Sequence, residues 1–360
     1  MKGPEPLPAP TSGVRPEIRA FRAYTLAVET MGPLRAKLDF NESPCDVPPE
    51  IKARVLARLE ARRWSVYPEF GSPALREAIA RSIGRRPEEI VVGNGSGEVI
   101  LAAVSVLAGG GRLLLAPPTF SLYSQMAAIA GAERVDVPRR GDDFALDEAS
   151  FSAAAAGAVP LLCSPNNPTG GAVAREAVSR LCDTAAVVLL DQAYVDFADP
   201  SADALPLLDR HPNLVIFRTL SKAYSAAGFR IGYAVARPEL AAEIVKAVLP
   251  FSVDLAAEEL ALAVLACPET ARLTVATIVA ERDRVSAALR ANGARVAPSS
   301  ANFLFFTIPG RDAGSLRAGL LTRGVLVRDM TSAAAGHLRV TVGTPAENDV
   351  FLNALEELIR

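Results

Sequence analysis

The sequence is poor in the side chains that most often bind transition metals. Its 360 residues include only 2 histidines, His211 and His337, and 4 cysteines. The cysteines are scattered along the chain without Cys-x-x-Cys spacing, at Cys45, Cys163, Cys182 and Cys267. Such a set offers a metal ion few ligands and is typical of free thiols in a reducing compartment. We therefore expect no metal site and a cytoplasmic location.

Strong net charge and long apolar runs are also lacking. The 38 basic and 40 acidic side chains leave a formal net charge of −2, which gives no general attraction to nucleic acid or anionic membranes. No apolar run of membrane-spanning length is free of charges or helix breakers. The proline-rich start has no apolar segment of the kind found in signal peptides. We expect a globular protein with no nucleic-acid or membrane partner.

Short apolar runs alternate with helical segments between residues 86 and 236. The strand candidates are residues 89–92, 112–116, 134–137, 159–163, 186–190, 214–218 and 232–236. The helix candidates are residues 98–107, 121–130 and 172–183. This alternation predicts an α/β domain whose mostly parallel seven-stranded sheet is covered by helices. In such sheets ligands bind at the carboxyl ends of the strands.

The pattern changes after Pro250. A helical stretch over 255–292 is interrupted at Cys267-Pro268, and short strands and a closing helix over 346–359 follow. This order predicts a smaller α+β domain. We expect a flexible arm over 1–14, a small domain from 15–45 and 250–360, and a large domain over 46–249.

Lys222 follows one of these buried runs, in a segment of small residues. Partial burial lowers the pKa of a lysine and yields the free amine that forms a Schiff base. Arg230 adds a fork that suits a phosphate dianion, and Thr219 and Ser221 add hydroxyl donors. The alternative is an ordinary loop lysine at the start of a helix.

Asp191 and Tyr194 follow another buried strand. A carboxylate at this place is poorly solvated unless a cation meets it, and a protonated pyridine nitrogen is such a cation. Tyr194 could direct its hydroxyl to an oxygen on the same ring. The alternative is a helix N-cap aspartate beside a core tyrosine.

Three turns add further candidates. The Pro- and Gly-rich turn over 164–170 presents Asn167, and the alternative there is a plain tight turn. The glycine-rich turn over 93–98 leads into a helix, so Gly95, Ser96 and Gly97 could cradle an anion. Phe120, with Tyr123 nearby, could stack on a flat ring, or both aromatics could be core residues.

Taken in order, these segments resemble the histidinol-phosphate aminotransferase family of fold type I enzymes, which use pyridoxal 5′-phosphate (PLP). The matching phrases are residues 38–44, 93–96, 164–170, 191–194, 219–222 with Arg230, and 338–344. The resemblance implies a large PLP-binding domain with a smaller one attached. It also implies an amino donor and a keto acid as substrates, and a homodimer with shared sites.

The resemblance also implies a role for each matching residue. Lys222 binds PLP covalently and moves the proton between Cα and C4′, Asp191 pairs with the ring nitrogen, and Asn167 and Tyr194 hold the ring oxygen. Phe120 stacks on the ring. The phosphate contacts are implied for Gly95, Ser96, Thr219, Ser221 and Arg230, and, from a neighbouring subunit, Tyr67. The substrate contacts are expected from Arg339, Arg328, Asn41, Tyr123 and Tyr24.

Two departures from the family pattern leave the substrate open. Gly97 stands where the family usually has aspartate, and the arm phrase around Tyr24 has neither the proline nor the glycine usual there. Arg339, on a strand of alternating residues, could also be a solvent-facing arginine. We expect a ping-pong transamination of histidinol phosphate with 2-oxoglutarate. Alternatives are an aromatic or broad-specificity aminotransferase, a phosphothreonine-type decarboxylase and a non-catalytic PLP-binding protein.

Overall fold

The computed structural model describes residues 13–19 and 33–360. Its strands are β1 (Ala36–Lys37), β2 (Ile90–Asn94), β3 (Arg112–Leu115), β4 (Glu133–Asp136), β5 (Val159–Cys163), β6 (Val188–Asp191), β7 (Leu214–Thr219), β8 (Ile231–Val235), β9 (Arg295–Val296), β10 (Phe303–Thr307), β11 (Val325–Leu326), β12 (Arg328–Asp329) and β13 (Leu338–Thr341). Its helices are α1 (Pro16–Arg19), α2 (Pro49–Glu60), α3 (Pro73–Ile83), α4 (Ser96–Leu107), α5 (Leu122–Ala130), α6 (Glu148–Ala155), α7 (Arg175–Thr184), α8 (Pro238–Ile244), α9 (Leu255–Leu265), α10 (Pro268–Ala291), α11 (Ala313–Thr322) and α12 (Pro345–Ile359).

The seven strands β2 to β8 form one sheet in the order β2-β8-β7-β6-β5-β3-β4. Only β8 runs against its neighbours β2 and β7, and the other pairs are parallel. The near-continuous apolar runs of β6 and β7 are buried on both faces, as expected for central strands between helical layers. The predicted mostly parallel α/β sheet is confirmed.

Each face of this large sheet has its own core. Alternate residues of one strand divide between the two cores, so that Leu190 joins one and Leu189 the other. The first core also contains buried side chains of α2, α3, α7 and α9, and the second contains those of α4, α5 and α8. The result is a three-layer arrangement whose strand ends are free to carry loops.

A second, antiparallel sheet has the order β12-β13-β10-β9, and β1 pairs with β11 in a separate two-stranded sheet. A third core joins these strands to α10, α11 and α12. Pro268 begins α10, so the interruption expected near this proline separates α9 from α10. Helix α9 lies beyond the boundary expected at residue 250, yet its buried side chains belong to the first core of the large sheet.

Within the described ranges, no single helix has the length and apolar character needed to cross a membrane. Helices α9 and α10 meet that requirement only when they are taken together, and the chain bends by 79° between them.

Candidate active site

The carboxyl ends of the large-sheet strands bring together the residues expected around the PLP ring, which we call the ring site: Phe120, Asn167, Asp191, Tyr194 and Lys222. Asp191 ends β6, Thr219 ends β7, and Asn167 follows β5. Strand β8 runs the opposite way, so Arg230, which directly precedes it, lies at the same edge as the ends of its neighbours. The topology therefore collects residues that are up to 135 positions apart, from Gly95 to Arg230.

Lys222 follows the end of β7, and its amine is hydrogen-bonded to two backbone oxygens. Its Nζ donates to Asn41 O at 2.8 Å and to Phe40 O at 3.3 Å. Burial lowers the pKa of Lys222 to about 7, with the charge of Arg339 as the next largest cause. The amine is thus available in its neutral, nucleophilic form near neutral pH.

Asp191 is buried, and its carboxylate accepts two hydrogen bonds. Tyr123 Oη donates to Oδ2 at 2.6 Å, and the Ala193 backbone N–H donates to Oδ1 at 2.9 Å. Burial raises the pKa of Asp191, while these two donors and the charge of Lys222 lower it. Among the described residues Asp191 forms no salt bridge, so a bound cation such as a pyridinium would stabilise its charged form.

Tyr123 was expected to contact the substrate, but the structure places it beneath the ring site. Its side chain is fully buried, and its hydroxyl is hydrogen-bonded to Asp191. Phe120 lies edge-on to Tyr123, with ring centroids 5.4 Å apart. Tyr123 therefore acts on Asp191 rather than on the open part of the site.

A cradle for a phosphate group lies between β2, α4 and β8. The amides of Ser96 and Gly97 open α4, a helix of 12 residues, after Gly95 with φ of 79°. A Cβ on Gly95 would come within 2.5 Å of Arg230 Nη2, and one on Gly232 within 1.9 Å of the Ser96 backbone nitrogen. Only glycine at these positions allows the helix terminus and the guanidinium to converge.

Hydroxyl groups complete this cradle on the β7 side. Thr219 Oγ1 donates to Ser221 Oγ at 2.8 Å, and both residues are buried. Arg230 has φ of 56°, a left-handed conformation that is strained for a residue with a side chain. Helix-terminal amides, hydroxyls and a guanidinium are the donors that a phosphate dianion requires.

Asn41 connects the two sheets. Its Nδ2 lies 3.2 Å from Tyr194 Oη, its backbone N–H donates to Thr341 Oγ1, and its carbonyl accepts from Lys222 and from Asn302. Asn41 was expected to bind substrate, but it is 1% exposed and organises other residues of the site.

Arg339 lies on the face of the small sheet that meets the ring site. Its Nη1 donates to Asn167 Oδ1 and its Nη2 to Asp39 O, both at 2.6 Å. Arg328 is directly opposite Arg339 in the β12–β13 register, and its guanidinium lies 5.9 Å from the centroid of Phe40. Burial raises the pKa of Tyr194 to about 12, so its hydroxyl stays protonated between Asn41 and this face.

Within one chain, Tyr67 is not part of this group. Tyr67 is 77% exposed and stacks on Phe251 at a centroid distance of 4.6 Å, and no contact within the described chain joins it to Lys222. Tyr24 lies outside the described residues.

Sequence reasoning missed Asn302, the residue directly before β10. Its Nδ2 donates to Asn41 O at 3.1 Å. The available signal was a polar residue directly before an apolar run, and the structure shows this residue to be fully buried. It also missed the carbonyl groups of Phe40 and Asn41, since any residue has a carbonyl and only the fold directs these two at Lys222.

The chemistry of this donor set suits an anionic aldehyde such as PLP, because an amine, a buried carboxylate, ring-oxygen donors and a phosphate cradle lie at one sheet edge. The fold and the site define a PLP-dependent enzyme of fold type I. The family described as aminotransferase class I and II matches residues 36–355, and the chain belongs to it. The protein is a PLP-dependent aminotransferase, and its substrates are an amino donor and a keto acid.

The chain is also similar to individual proteins within this family and fold. The histidinol-phosphate aminotransferase of Thermococcus kodakarensis is 40% identical over 345 residues, which cover 96% of this chain and 98% of that protein. The PLP complex of the histidinol-phosphate aminotransferase from Sinorhizobium meliloti superposes with a TM-score of 0.84 at 24% identity, covering 97% and 98%. L-threonine-O-3-phosphate decarboxylase from Porphyromonas gingivalis gives a TM-score of 0.78 at 25% identity, covering 90% and 99%.

Proposed function

We propose that this aminotransferase exchanges the amino group of histidinol phosphate with 2-oxoglutarate, giving imidazole acetol phosphate and glutamate. The observation that carries the proposal is the pair Arg339 and Arg328, which lie opposite each other on the sheet face beside the ring site. Two guanidinium groups suit a ligand with a phosphate in one half-reaction and a carboxylate in the other. The 40% identity to a histidinol-phosphate aminotransferase supports the same substrate.

Each ring-site residue receives a proposed role. Lys222 attaches PLP, Asp191 pairs with its ring nitrogen, Asn167 and Tyr194 hold its ring oxygen, and Phe120 stacks on its face. The phosphate is bound by Gly95, Ser96, Gly97, Thr219, Ser221 and Arg230. When bound, PLP supplies an electron sink that stabilises negative charge at the substrate Cα.

Lys222 handles the proton in this scheme. With its pKa lowered to about 7, the free amine accepts the proton from Cα and returns it at C4′. The carbonyl oxygens of Phe40 and Asn41 hold the amine as an acceptor pair between these two transfers. Asp191 stays ionised when a cation lies beside it, and Tyr123 keeps its carboxylate in place.

A homodimer with shared sites is the second part of the proposal. Large apolar side chains cluster on one exposed surface: Trp64, Val66, Tyr67, Phe70, Leu249 and Phe251. Such a patch is unusual on a monomer and suits a second copy of the chain, in which Tyr67 would reach the phosphate of the neighbouring site. Sedimentation of the wild type and of the Tyr67→Phe variant tests this. A monomer with full activity would refute it.

The domain division and the location complete the proposal. The proposed division is an arm over 1–14, a small domain from 15–45 and 250–360, and a large domain over 46–249. Helix α9 packs in the first core, so this packing extends the large domain to about Pro268. We propose that the enzyme works in the cytoplasm, without nucleic-acid or membrane partners. Fractionation of cells that express it, followed by an activity assay, tests the location.

Two assays test the activity itself. Borohydride treatment of the purified protein with PLP should fix the cofactor on the Lys222 peptide, and Lys222→Ala is the control. Rates with histidinol phosphate, phenylalanine and O-phosphothreonine then separate the substrates. Preference for phenylalanine would indicate an aromatic aminotransferase. CO₂ release from O-phosphothreonine would indicate a decarboxylase, which is the activity named for the Porphyromonas gingivalis structure of similar fold.

A further inference from the structure

Arg139 is a buried guanidinium that none of the roles above uses. It is 9% exposed, and its Nη1 donates to Phe144 O at 3.3 Å. Its Nε and Nη2 are buried without a hydrogen-bond partner, and no carboxylate of the described residues pairs with it. Arg218 is equally exposed, but its Nη2 forms an ion pair with Asp203 at 2.5 Å. A buried cation without an anion is costly, which sets Arg139 apart.

The loops around Arg139 are those that carry the ring-site residues. Its backbone N–H donates to Pro117 O at 2.7 Å, which ties it to the loop that ends at Phe120. Asn166, next to Asn167, donates from Nδ2 to Pro118 O at 2.9 Å. Arg139 also lies near the Cys163 thiol, because each group shifts the pKa of the other. Asp191 and the Asn167 backbone shift the pKa of Cys163 as well.

Arg139 also faces the small sheet through Phe144. The Phe144 ring packs edge-on against Phe305, with centroids 5.2 Å apart. Phe305 is directly opposite Arg339 in the β10–β13 register, so their side chains lie on one face of that sheet. Phe144, whose carbonyl accepts from Arg139, therefore contacts the sheet face that presents Arg339.

The two ligands of the proposed reaction need different numbers of donors. A phosphate monoester brings about two negative charges and three acceptor oxygens, whereas a carboxylate brings one charge and two oxygens. Both Nη atoms of Arg339 already donate to Asn167 and to Asp39. These two bonds occupy two of the five N–H groups of Arg339, and Arg139 adds two nitrogens that have no partner of their own.

We propose that Arg139 is a specificity residue whose guanidinium binds the phosphate of the amino substrate from the large-sheet side, while Arg339 and Arg328 bind it from the small sheet. This inference rests on the proposed function, because it assumes a phosphorylated substrate. The competing role is a structural one, in which Arg139 only fixes the Phe144 carbonyl.

A thermal experiment on the PLP-loaded enzyme tests anion binding without turnover. Inorganic phosphate is the probe, and sodium chloride at the same ionic strength is the reference. The enzyme is loaded with PLP so that the cofactor already fills its own phosphate cradle. The wild type should gain Tm in phosphate beyond chloride. Arg139→Leu should match or exceed the wild-type Tm in chloride, because it removes an unpaired buried charge, and should lose the extra gain.

Arg218→Leu is the matched control, since it removes an equally buried arginine that has a partner. It should lower Tm in chloride and keep the phosphate gain. A wild type without that gain, or Arg139→Leu that retains it, would overturn the proposal. If Arg139→Leu does not fold, Arg139→Gln takes its place, with the same outcomes deciding.

Kinetics then separate specificity from structure. Arg139→Leu should lower kcat/KM for histidinol phosphate about 30-fold and that for glutamate no more than about 3-fold. Arg139→Lys should recover part of this preference, because it restores charge without the fork. Equal losses with both donors would indicate the structural role. A wild type inactive on histidinol phosphate would refute the proposed function, while the thermal experiment would still decide whether Arg139 binds phosphate.

Discussion

The two sheets contribute to the site in different ways. The large sheet supplies consecutive strand ends, so Asp191 is paired with Cys163 on one side and Phe217 on the other, and Thr219 is paired with Gly232. The small sheet supplies one face, and Arg339 reaches the ring site only because Asn167 and Asp39 accept its two Nη donors. In the proposed mechanism the large sheet thus carries the reacting groups, whereas the substrate contacts come from Arg339 and Arg328 on the small sheet and from Arg139 in the loop after β4.

This difference predicts that variants of the ring-site residues on the large sheet lose the reaction, whereas variants of the small-sheet arginines weaken substrate binding. The largest effect is expected for Lys222→Ala, which removes the only proposed proton carrier. Transamination should fall by about 10⁴-fold or more. Single-turnover rates measure this, and an unchanged far-UV spectrum controls for folding. A residual rate above one per cent would place the proton transfer on another group.

Asp191→Asn should be the next most severe change. The amide keeps the shape of the carboxylate but loses the charge that stabilises a cationic ring nitrogen, so kcat should fall by about 10²–10³-fold. PLP affinity, followed by absorption during dialysis, should also fall. If the substrate KM rose and kcat did not change, the role assigned to Asp191 would be wrong.

Arg339→Leu tests the other side of the comparison. It removes a guanidinium that faces the ligand, so kcat/KM for both amino donors should fall by about 10²-fold. Borohydride labelling of Lys222 should persist, because the ring site belongs to the large sheet. Loss of labelling would show that the two sheets are not separable in this way.

A pH experiment links the two sheets. Only the neutral amine attacks an aldehyde, and the pKa of Lys222 is lowered from 10.5 to about 7. The rate of PLP attachment to the cofactor-free protein should therefore rise with pH, with a midpoint at about 7, and level off above it. Arg339→Leu should move this midpoint to higher pH, since the charge of Arg339 is the second largest cause of the lowering. An unshifted midpoint would show that the charge of Arg339 does not lower the pKa of Lys222.

Tyr123→Phe should give the smallest effect. It removes one hydrogen bond to Asp191, so kcat should fall about 10-fold with little change in KM. The Tyr123 hydroxyl lowers the pKa of Asp191, so the variant should protonate Asp191 at a higher pH. The acidic limb of the kcat profile should move to higher pH accordingly. A rise in KM with unchanged kcat would instead support a substrate contact for Tyr123.

The large sheet and the order of its ring-site residues were predictable from the sequence. Buried runs such as β6 and β7 are long and apolar, and polar residues follow them directly, so the period and the break are both local signals. The interruption before Pro268 was equally local, because proline lacks the N–H that would continue the helix.

Only the tertiary structure decided which side chains act on one another. Tyr123 and Asn41 were both expected at the substrate, yet each is buried and bonded to a ring-site residue. Their partners are 68 and 153 residues away in the chain. Burial and the direction of a side chain depend on packing between sheets, which no local pattern encodes.

Arg139 shows the same limit most plainly. In the sequence it is one of two adjacent arginines after a proline, and nothing distinguishes it from Arg140. In the structure Arg140 is exposed and paired with Asp147, whereas Arg139 is buried with two unpartnered nitrogens. The sequence by itself predicted the large α/β sheet through local periodicity, and its motifs predicted the aminotransferase activity through their resemblance to a known family. The tertiary structure decided which cations remain for a ligand, because that depends on the partners that folding brings to each one.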